Sequence, residues 1–340
     1  MTNIYDMTRE ELIERLAAWN VKSYKAIQIY EWLYEKRVKS FDDMTNLKKE
    51  FIETLKNNFT MEELIVRRKQ EDETAIKYLF ELTDRNLIEA VVMKHDYGMS
   101  VCVSSQIGCN MGCAFCESGR LKKVRDLLPG EIVGQLLKIE EDAGIKINSV
   151  VVMGIGEPFD NYDNIVRFLK IINDAKGMAI GARHITVSTS GLVPRIYDFA
   201  DLPLQINLAI SLHAPNDEIR NRIMKINKVY NIDTLMKAIR HYIAKTNRRV
   251  TVEYVMLNGV NDTKECAYEL VKLLKGMNVY VNLIPYNVTS HSEFGKSSLA
   301  KKDQFFEILN KNSITVTVRR EFGGTIEAAC GQLRANEVKD

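Results

Sequence analysis

The chain carries no apolar run approaching the roughly 20 residues needed to cross a bilayer, so a membrane role is not expected. It has no basic start followed by an apolar stretch. Residues 1–14 are acidic on balance, and Thr8-Arg9-Glu10-Glu11 reads as a capping box opening an amphipathic helix, so no signal peptide is expected. Excess charge of either sign is small: a net charge of +2 excludes a tail-driven nucleic-acid binder and leaves any RNA contact to local patches. Internal repeats and low-complexity segments are absent, which sets aside a solenoid. The six cysteines in 340 residues, three of them clustered, do not form a disulfide framework and fit a reducing cytoplasm.

What is present is the composition of an ordinary globular protein, 46% hydrophobic and 27% charged, long enough for one large domain and a smaller one. The basic runs are Arg67-Arg68-Lys69, residues 120–125, Arg248-Arg249 and Arg319-Arg320. Each by itself reads as a solvated face before it reads as a binding patch.

Residues 8–58 follow a helical pattern, with Leu12, Leu16 and Trp19 on one face and Ile27, Ile29, Leu33 and Tyr34 in a second helix. Asp42 and Asp43 precede a third helix at 47–55. Trp19, Tyr30, Trp32 and Tyr34 could stack on nucleobases, but their helical spacing favours a core. Residues 75–82 and 87–94 alternate apolar and polar around Asp84-Arg85-Asn86, which predicts a hairpin. Glu89 lies in its second strand, facing water or, if directed into a site, serving as a proton acceptor.

From residue 99 onward strands and helices alternate. Strands are expected at 100–106, 149–153, 184–189, 206–212, 250–256, 279–285 and 314–319, and helices at 129–141, 162–172, 232–244, 263–275 and 301–310. This α/β order implies a parallel sheet with right-handed crossovers, curled into a full or partial barrel whose ligands bind at the C-terminal strand ends. Polar residues stand just past those ends: Gly154-Ile155-Gly156-Glu157-Pro158, Ser188-Thr189-Ser190-Gly191, Ser211-Leu212-His213 and Asn287. Turn chemistry explains any one of them; their recurrence on one rim points to a site.

The first strand end leads into Cys109-x3-Cys113-x2-Cys116, three cysteines in eight residues. A loop of this kind holds three irons of a [4Fe–4S] cluster and leaves the fourth without a protein ligand. Zinc would want a fourth Cys or His nearby, and a chance grouping of buried thiols is the other alternative. The open iron can be chelated by S-adenosylmethionine, whose reductive cleavage yields a carbon radical. Gly156 and Glu157 suit the methionine amino group, while Ser188, Ser211, His213 and Asn287 suit its carboxylate, ribose and adenine. Cys266 reads as a small core residue. Cys330, near the C terminus, is either a buried thiol or a nucleophile that can be alkylated.

The cysteine spacing matches the radical S-adenosylmethionine signature. Together with Cys102-Val-Ser-Ser-Gln106, Gly156-Glu157-Pro158, Ser211-Leu-His-Ala-Pro-Asn-Asp217 and Ala329-Cys-Gly-Gln-Leu333, it resembles the RlmN/Cfr family of RNA adenine methyltransferases over nearly the whole chain. Ser188-Thr-Ser-Gly191 and Leu283-Ile-Pro-Tyr-Asn287 resemble the RlmN side, whereas Glu117-Ser118-Gly119-Arg120 and the lysine-rich run to Arg125 depart from it. The resemblance implies a partial (β/α)6 radical S-adenosylmethionine barrel at residues 99–340. A β-hairpin extension at 73–98 and an N-terminal helical accessory domain at 1–72, similar to a helix-hairpin-helix and contacting RNA, would precede it.

The resemblance further implies a two-cysteine mechanism. One S-adenosylmethionine methylates Cys330, and a 5′-deoxyadenosyl radical from a second takes a hydrogen from that S-methyl group. The carbon radical adds to adenine, Glu89 accepts the ring proton, and Cys102 releases the RNA through a disulfide with Cys330. The cofactor residues would be Gly156, Glu157, Ser188, Ser211, Leu212, His213 and Asn287. The substrates would be adenine 2503 of 23S rRNA, at C2, and adenine 37 of tRNA. A C8 methyltransferase conferring antibiotic resistance and a non-catalytic iron–sulfur RNA-binding or redox-sensing protein are the alternatives. A monomer supplied with electrons by flavodoxin or ferredoxin is expected.

Overall fold

A computed structural model describes residues 1–289, 293–326 and 332. Its centre is a ten-stranded sheet whose strands lie side by side in chain order. They are β1 (Ile65–Glu71), β2 (Ala75–Glu81), β3 (Leu87–His95), β4 (Gly98–Cys102), β5 (Ile147–Val152), β6 (Ile185–Thr189), β7 (Asn207–Ser211), β8 (Val250–Met256), β9 (Val279–Pro285) and β10 (Thr315–Val318). The first four pair antiparallel and every pair from β4 to β10 is parallel. A parallel neighbour needs a crossover, and helices supply it. Pro129–Ala143, Tyr162–Asn173, Val193–Ala200, Ile232–Thr246, Lys264–Leu274 and Leu299–Lys311 alternate with the strands. Among the described residues β1 and β10 do not pair, so the barrel is partial.

Side chains alternate along each strand, so register fixes the two faces of the sheet. One face, carrying Val150, Val152, Ile185, Val187, Leu208, Ile210, Val250, Val252, Val279 and Val281, is buried in the main core with the helices. The other carries Ser100, Cys102, Ser149, Thr186, Ser188, Asn207, Ser211, Thr251, Glu253 and Asn282, in mutual register. A closed barrel fills its interior with branched side chains. This interior mixes small polar side chains with apolar ones such as Val91, Met93 and Val151, and it leaves a lumen.

The N-terminal segment forms helices Arg9–Ala17, Ser23–Tyr34 and Lys49–Asn58, the first opened by the expected Thr8–Glu11 capping box. Tyr30 and Tyr34 are buried, as their spacing predicts, and the segment shares the main core. Asp6 accepts a hydrogen bond from the Gly130 amide at 2.8 Å, and burial pushes its carboxyl up to about 6. Arg9–Asp174 and Arg37–Glu140 add ion pairs across the same seam.

The strand β1 has no counterpart in the sequence pattern. Its run Arg67-Arg68-Lys69 hides the alternation, because an edge strand buries little and carries charge against edge-to-edge pairing. Arg67 pairs with Glu81 and Lys69 with Asp142, which uses two of the run's three charges in the fold. Helices Val193–Ala200 and Asp217–Ile223 also have no counterpart in the sequence pattern, both being too short for a clear period. No helix of the described residues is long and apolar enough to cross a membrane.

Candidate active site

The cysteine loop leaves the sheet after β4 and returns through Arg125–Asp126, which pairs with Gln106–Ile107. Backbone bonds hold its shape: the Cys109 amide donates to the Leu121 carbonyl at 3.0 Å, Cys116 to Cys113 at 3.2 Å and Gly119 to Cys116 at 3.2 Å. Gly119 is required by contact, since a Cβ there would stand 2.8 Å from the Cys113 carbonyl oxygen. Burial raises the Cys109 thiol to about 12 and drives Cys113 well above its ordinary value. Thiolates in such a setting need a bound cation to exist at neutral pH, and a metal supplies it. The three thiols lie close enough together that Cys116 further raises both Cys109 and Cys113, and three thiolates from one short loop are the donors of a [4Fe–4S] cluster with one open iron. The donor set fits the cluster.

Gly154 and Gly156 carry the next loop against the first. A Cβ on Gly156, whose φ is +110°, would lie 2.7 Å from both the Gln106 Cβ and the Ser105 Oγ. Gln106 then locks the two loops together: its Oε1 accepts from the Glu157 amide at 2.8 Å, and its Nε2 donates to Asp126 at 2.8 Å and Asp160 at 2.9 Å. The Glu157 carboxylate is buried, accepting from the amides of Ser190 at 2.7 Å and Phe159 at 3.0 Å. Burial raises its pKa against those bonds, and among the described residues no cationic side chain pairs with it. A buried carboxylate without a protein counter-ion suits a ligand ammonium.

His213, at φ +56°, accepts from the Val255 amide through Nδ1 at 3.0 Å. Burial and the nearby Arg220 push it down to about 3, so it is neutral, with its proton on Nε2. Ser188 and Ser211 face each other across 3.5 Å.

These side chains share one cleft of about 1350 Å³, mouth included, at the C-terminal ends of the parallel strands. Cys102, Cys109, Cys113, Cys116, Gly156, Glu157, Ser188, Ser211, His213 and Asn287 all line it. Leu212 does not: its side chain is in the outer core, and its carbonyl accepts from Arg220. Glu89 is not among the lining residues either. It is buried on β3, shares a strand face with the lining residues Val91 and Met93, and pairs with Lys77 at 2.8 Å. Cys330 lies outside the described residues.

Sequence reasoning missed Arg220, which is fully buried. Its guanidinium donates to the carbonyls of Ser190 (2.6 Å), Leu212 (3.1 Å) and Ser211 (3.3 Å) and to Asn227 Oδ1 (2.9 Å), tying two strand ends of the cleft together. Burial lowers it to about 10. Nothing in a helical run of charges marks one member as interior, because arginine is mostly exposed. Arg220→Met is expected to cost on the order of 3 kcal/mol, since three carbonyls lose a charged donor. Urea unfolding checks this, and an unchanged midpoint would deny Arg220 the clamp.

The comparisons agree with this geometry. Residues 103–283 match the Radical SAM superfamily, and residues 2–61 match the ribosomal RNA large subunit methyltransferase N-terminal domain. The chain is 52% identical over 337 residues to a probable dual-specificity RNA methyltransferase RlmN of Acholeplasma laidlawii, covering 98% of this chain and 99% of that one. A protein of the same description from Listeria welshimeri is 54% identical, with 99% and 95% covered. The crystal structure of a radical SAM methyltransferase from Sphaerobacter thermophilus superposes with a TM-score of 0.93 at 43% identity, over 99% of this chain and 100% of that chain. With a cluster cradle and a cofactor cleft on one barrel rim and relatives alike from end to end, the chain belongs to the RlmN family of radical S-adenosylmethionine methyltransferases.

Proposed function

We propose that this chain methylates C2 of an adenosine in 23S rRNA and of the adenosine following the tRNA anticodon. The observation that carries the reading is the single cleft in which three cluster-type cysteines, the buried Glu157 carboxylate and a further thiol, Cys102, meet. Cys109, Cys113 and Cys116 would hold a [4Fe–4S] cluster. Gly156 and Glu157 would take the amino group of S-adenosylmethionine, and Ser188, Ser211, the Leu212 backbone, His213 and Asn287 its other polar groups. Bound there, these cofactors would supply a methyl group and a carbon radical.

The protein's own part is to carry the methyl carbon on Cys330, accept the adenine ring proton on Glu89 and resolve the protein–RNA bond with Cys102. C2 lies in an amidine and is not nucleophilic, so simple methyl displacement would not serve. Residues on both sides of the Cys330 segment support its part: Ile326 packs with Cys102 and Phe322, and the Gln332 side chain meets the Val288 carbonyl at 3.4 Å, next to Asn287. Glu89 is fixed by Lys77 on the strand face that continues into the cleft. The reading includes a cytoplasmic monomer and an external flavodoxin or ferredoxin donor.

Anaerobically reconstituted protein, given S-adenosylmethionine, a reductant and 23S rRNA or tRNA, is expected to yield 2-methyladenosine on nucleoside mass spectrometry. Methylation at C8 alone, or none with active cluster, would overturn the reading.

A further inference from the structure

At the opposite, N-terminal end of the parallel strands lies a second cleft of about 1310 Å³, mouth included, that the cofactor reading does not use. Arg183, just before β6, and Arg248 and Arg249, just before β8, stand around it with Thr186, Asn207 and Thr251 from the inner sheet face. No Asp or Glu is among its described lining residues.

Two of the three guanidiniums are held by neutral partners, and the backbone beside the third is tied to one of those partners. Arg248 donates to Asn207 Oδ1 at 2.9 Å, Asn207 donates to the Arg183 carbonyl at 2.8 Å, and Arg249 lies 5.0 Å from the centre of the Tyr280 ring. Among the described residues none of the three forms an ion pair, in contrast to Arg9, Arg37, Arg125 and Arg167 elsewhere on the surface. Arg248 is partly desolvated and feels Arg183, and both effects disfavour its charge. Cations gathered without a counter-charge repel one another, and a bound anion relieves that repulsion. Guanidinium forks beside threonine hydroxyls and an amide donor are the chemistry of phosphate recognition.

We propose that this N-terminal mouth of the barrel is a phosphoryl-anion site, held by Arg183, Arg248 and Arg249. Its ligand is a phosphodiester of bound RNA or a free polyphosphate, two sources of one chemistry. The site does not depend on the methylation reading, because its primary test uses no RNA.

The probe is sodium tripolyphosphate, titrated calorimetrically into the full chain and into the double variant Arg248→Gln/Arg249→Gln. Arg240→Gln, an exposed arginine outside the cleft, is the control. The double variant is expected to bind at least about tenfold more weakly, and Arg248→Lys/Arg249→Lys to recover part of that loss, because it restores charge without the fork. Equal urea midpoints exclude misfolding as the cause. In a second arm, tRNA affinity is followed against salt. A log–log slope reduced by about 1 to 2 in the double variant assigns the phosphoryl group to RNA, and an unchanged slope with lost tripolyphosphate binding assigns it to a free anion. Tripolyphosphate and tRNA binding both equal to the Arg240→Gln control would overturn the site.

Discussion

Cys113→Ala is expected to give a folded protein that takes up no cluster, is colourless after anaerobic reconstitution and forms no 5′-deoxyadenosine. Cys113 is the middle donor of the loop, and its burial disfavours a free thiolate more strongly than any neighbouring residue can compensate. A metal bound there therefore holds the charge that the protein alone does not. With only Cys109 and Cys116 left, the loop would no longer offer the three thiolates that a [4Fe–4S] cluster with one open iron requires. The loop keeps its backbone bonds, among them the Ala114 amide to the Ile223 carbonyl at 2.9 Å, so the substitution acts on the metal and not on the fold. Iron and sulfide analysis is the measurement, with circular dichroism as the control. Wild-type iron content of about four per chain is the expectation; the same content in the variant would remove Cys113 from the ligand set. Zinc in place of iron in the wild type would remove the cluster itself.

How much of this was legible before the fold was known depends on the range of the interaction that fixes each residue. The cysteine loop is local: its spacing is contained in eight consecutive residues, and the fold brings all three thiols to the wall of one cleft. The strands β8 and β9 coincide with the alternation that predicts them, because their outer faces are continuous core. The rim residues Ser188, Ser211, His213 and Asn287 are legible only through the rule that ligands meet parallel strands at their C-terminal ends.

Other features depend on partners distant in sequence. Arg220 is interior because carbonyls from β6 and β7 converge on it, and Glu89 is buried because Lys77 stands on the neighbouring strand. The Arg248-Arg249 run by itself reads as a solvated face. Arg183 joins it only when β6 and β8 flank β7 in the sheet. Strand β1 was masked by its own charges, which serve an edge that sequence alone does not locate.

Two of the three cysteines outside the loop, Cys102 and Cys330, carry the other large expectation. Cys330→Ala is expected to lower RNA methylation by at least about a thousandfold, in line with the loss of a covalent nucleophile, while 5′-deoxyadenosine can still form because the cluster ligands are untouched. Cys102→Ala is expected to do something different, leaving protein joined to RNA. In the proposed release, the Cys102 thiolate attacks the Cys330 sulfur and forms the S–S bond. The bond between that sulfur and the methylene carbon breaks, and the carbon takes the electron pair and a proton to become the methyl group. One thiolate sulfur and one thioether sulfur are thereby oxidised to the disulfide as one carbon is reduced by two electrons, so no outside oxidant is needed for this step. What supports this role for Cys102 is its position on the lumen face of β4, in register with Val91 of β3 and Val151 of β5, in the apolar cluster that holds Phe322 and against which Ile326 packs. Denaturing gels and mass spectrometry of the Cys102→Ala reaction would show a crosslinked species, and Cys102→Ala/Cys330→Ala would show none. Free, fully methylated RNA from Cys102→Ala would assign the release to another group, and wild-type turnover by Cys330→Ala would end the two-cysteine mechanism while leaving the cluster and its cleft in place.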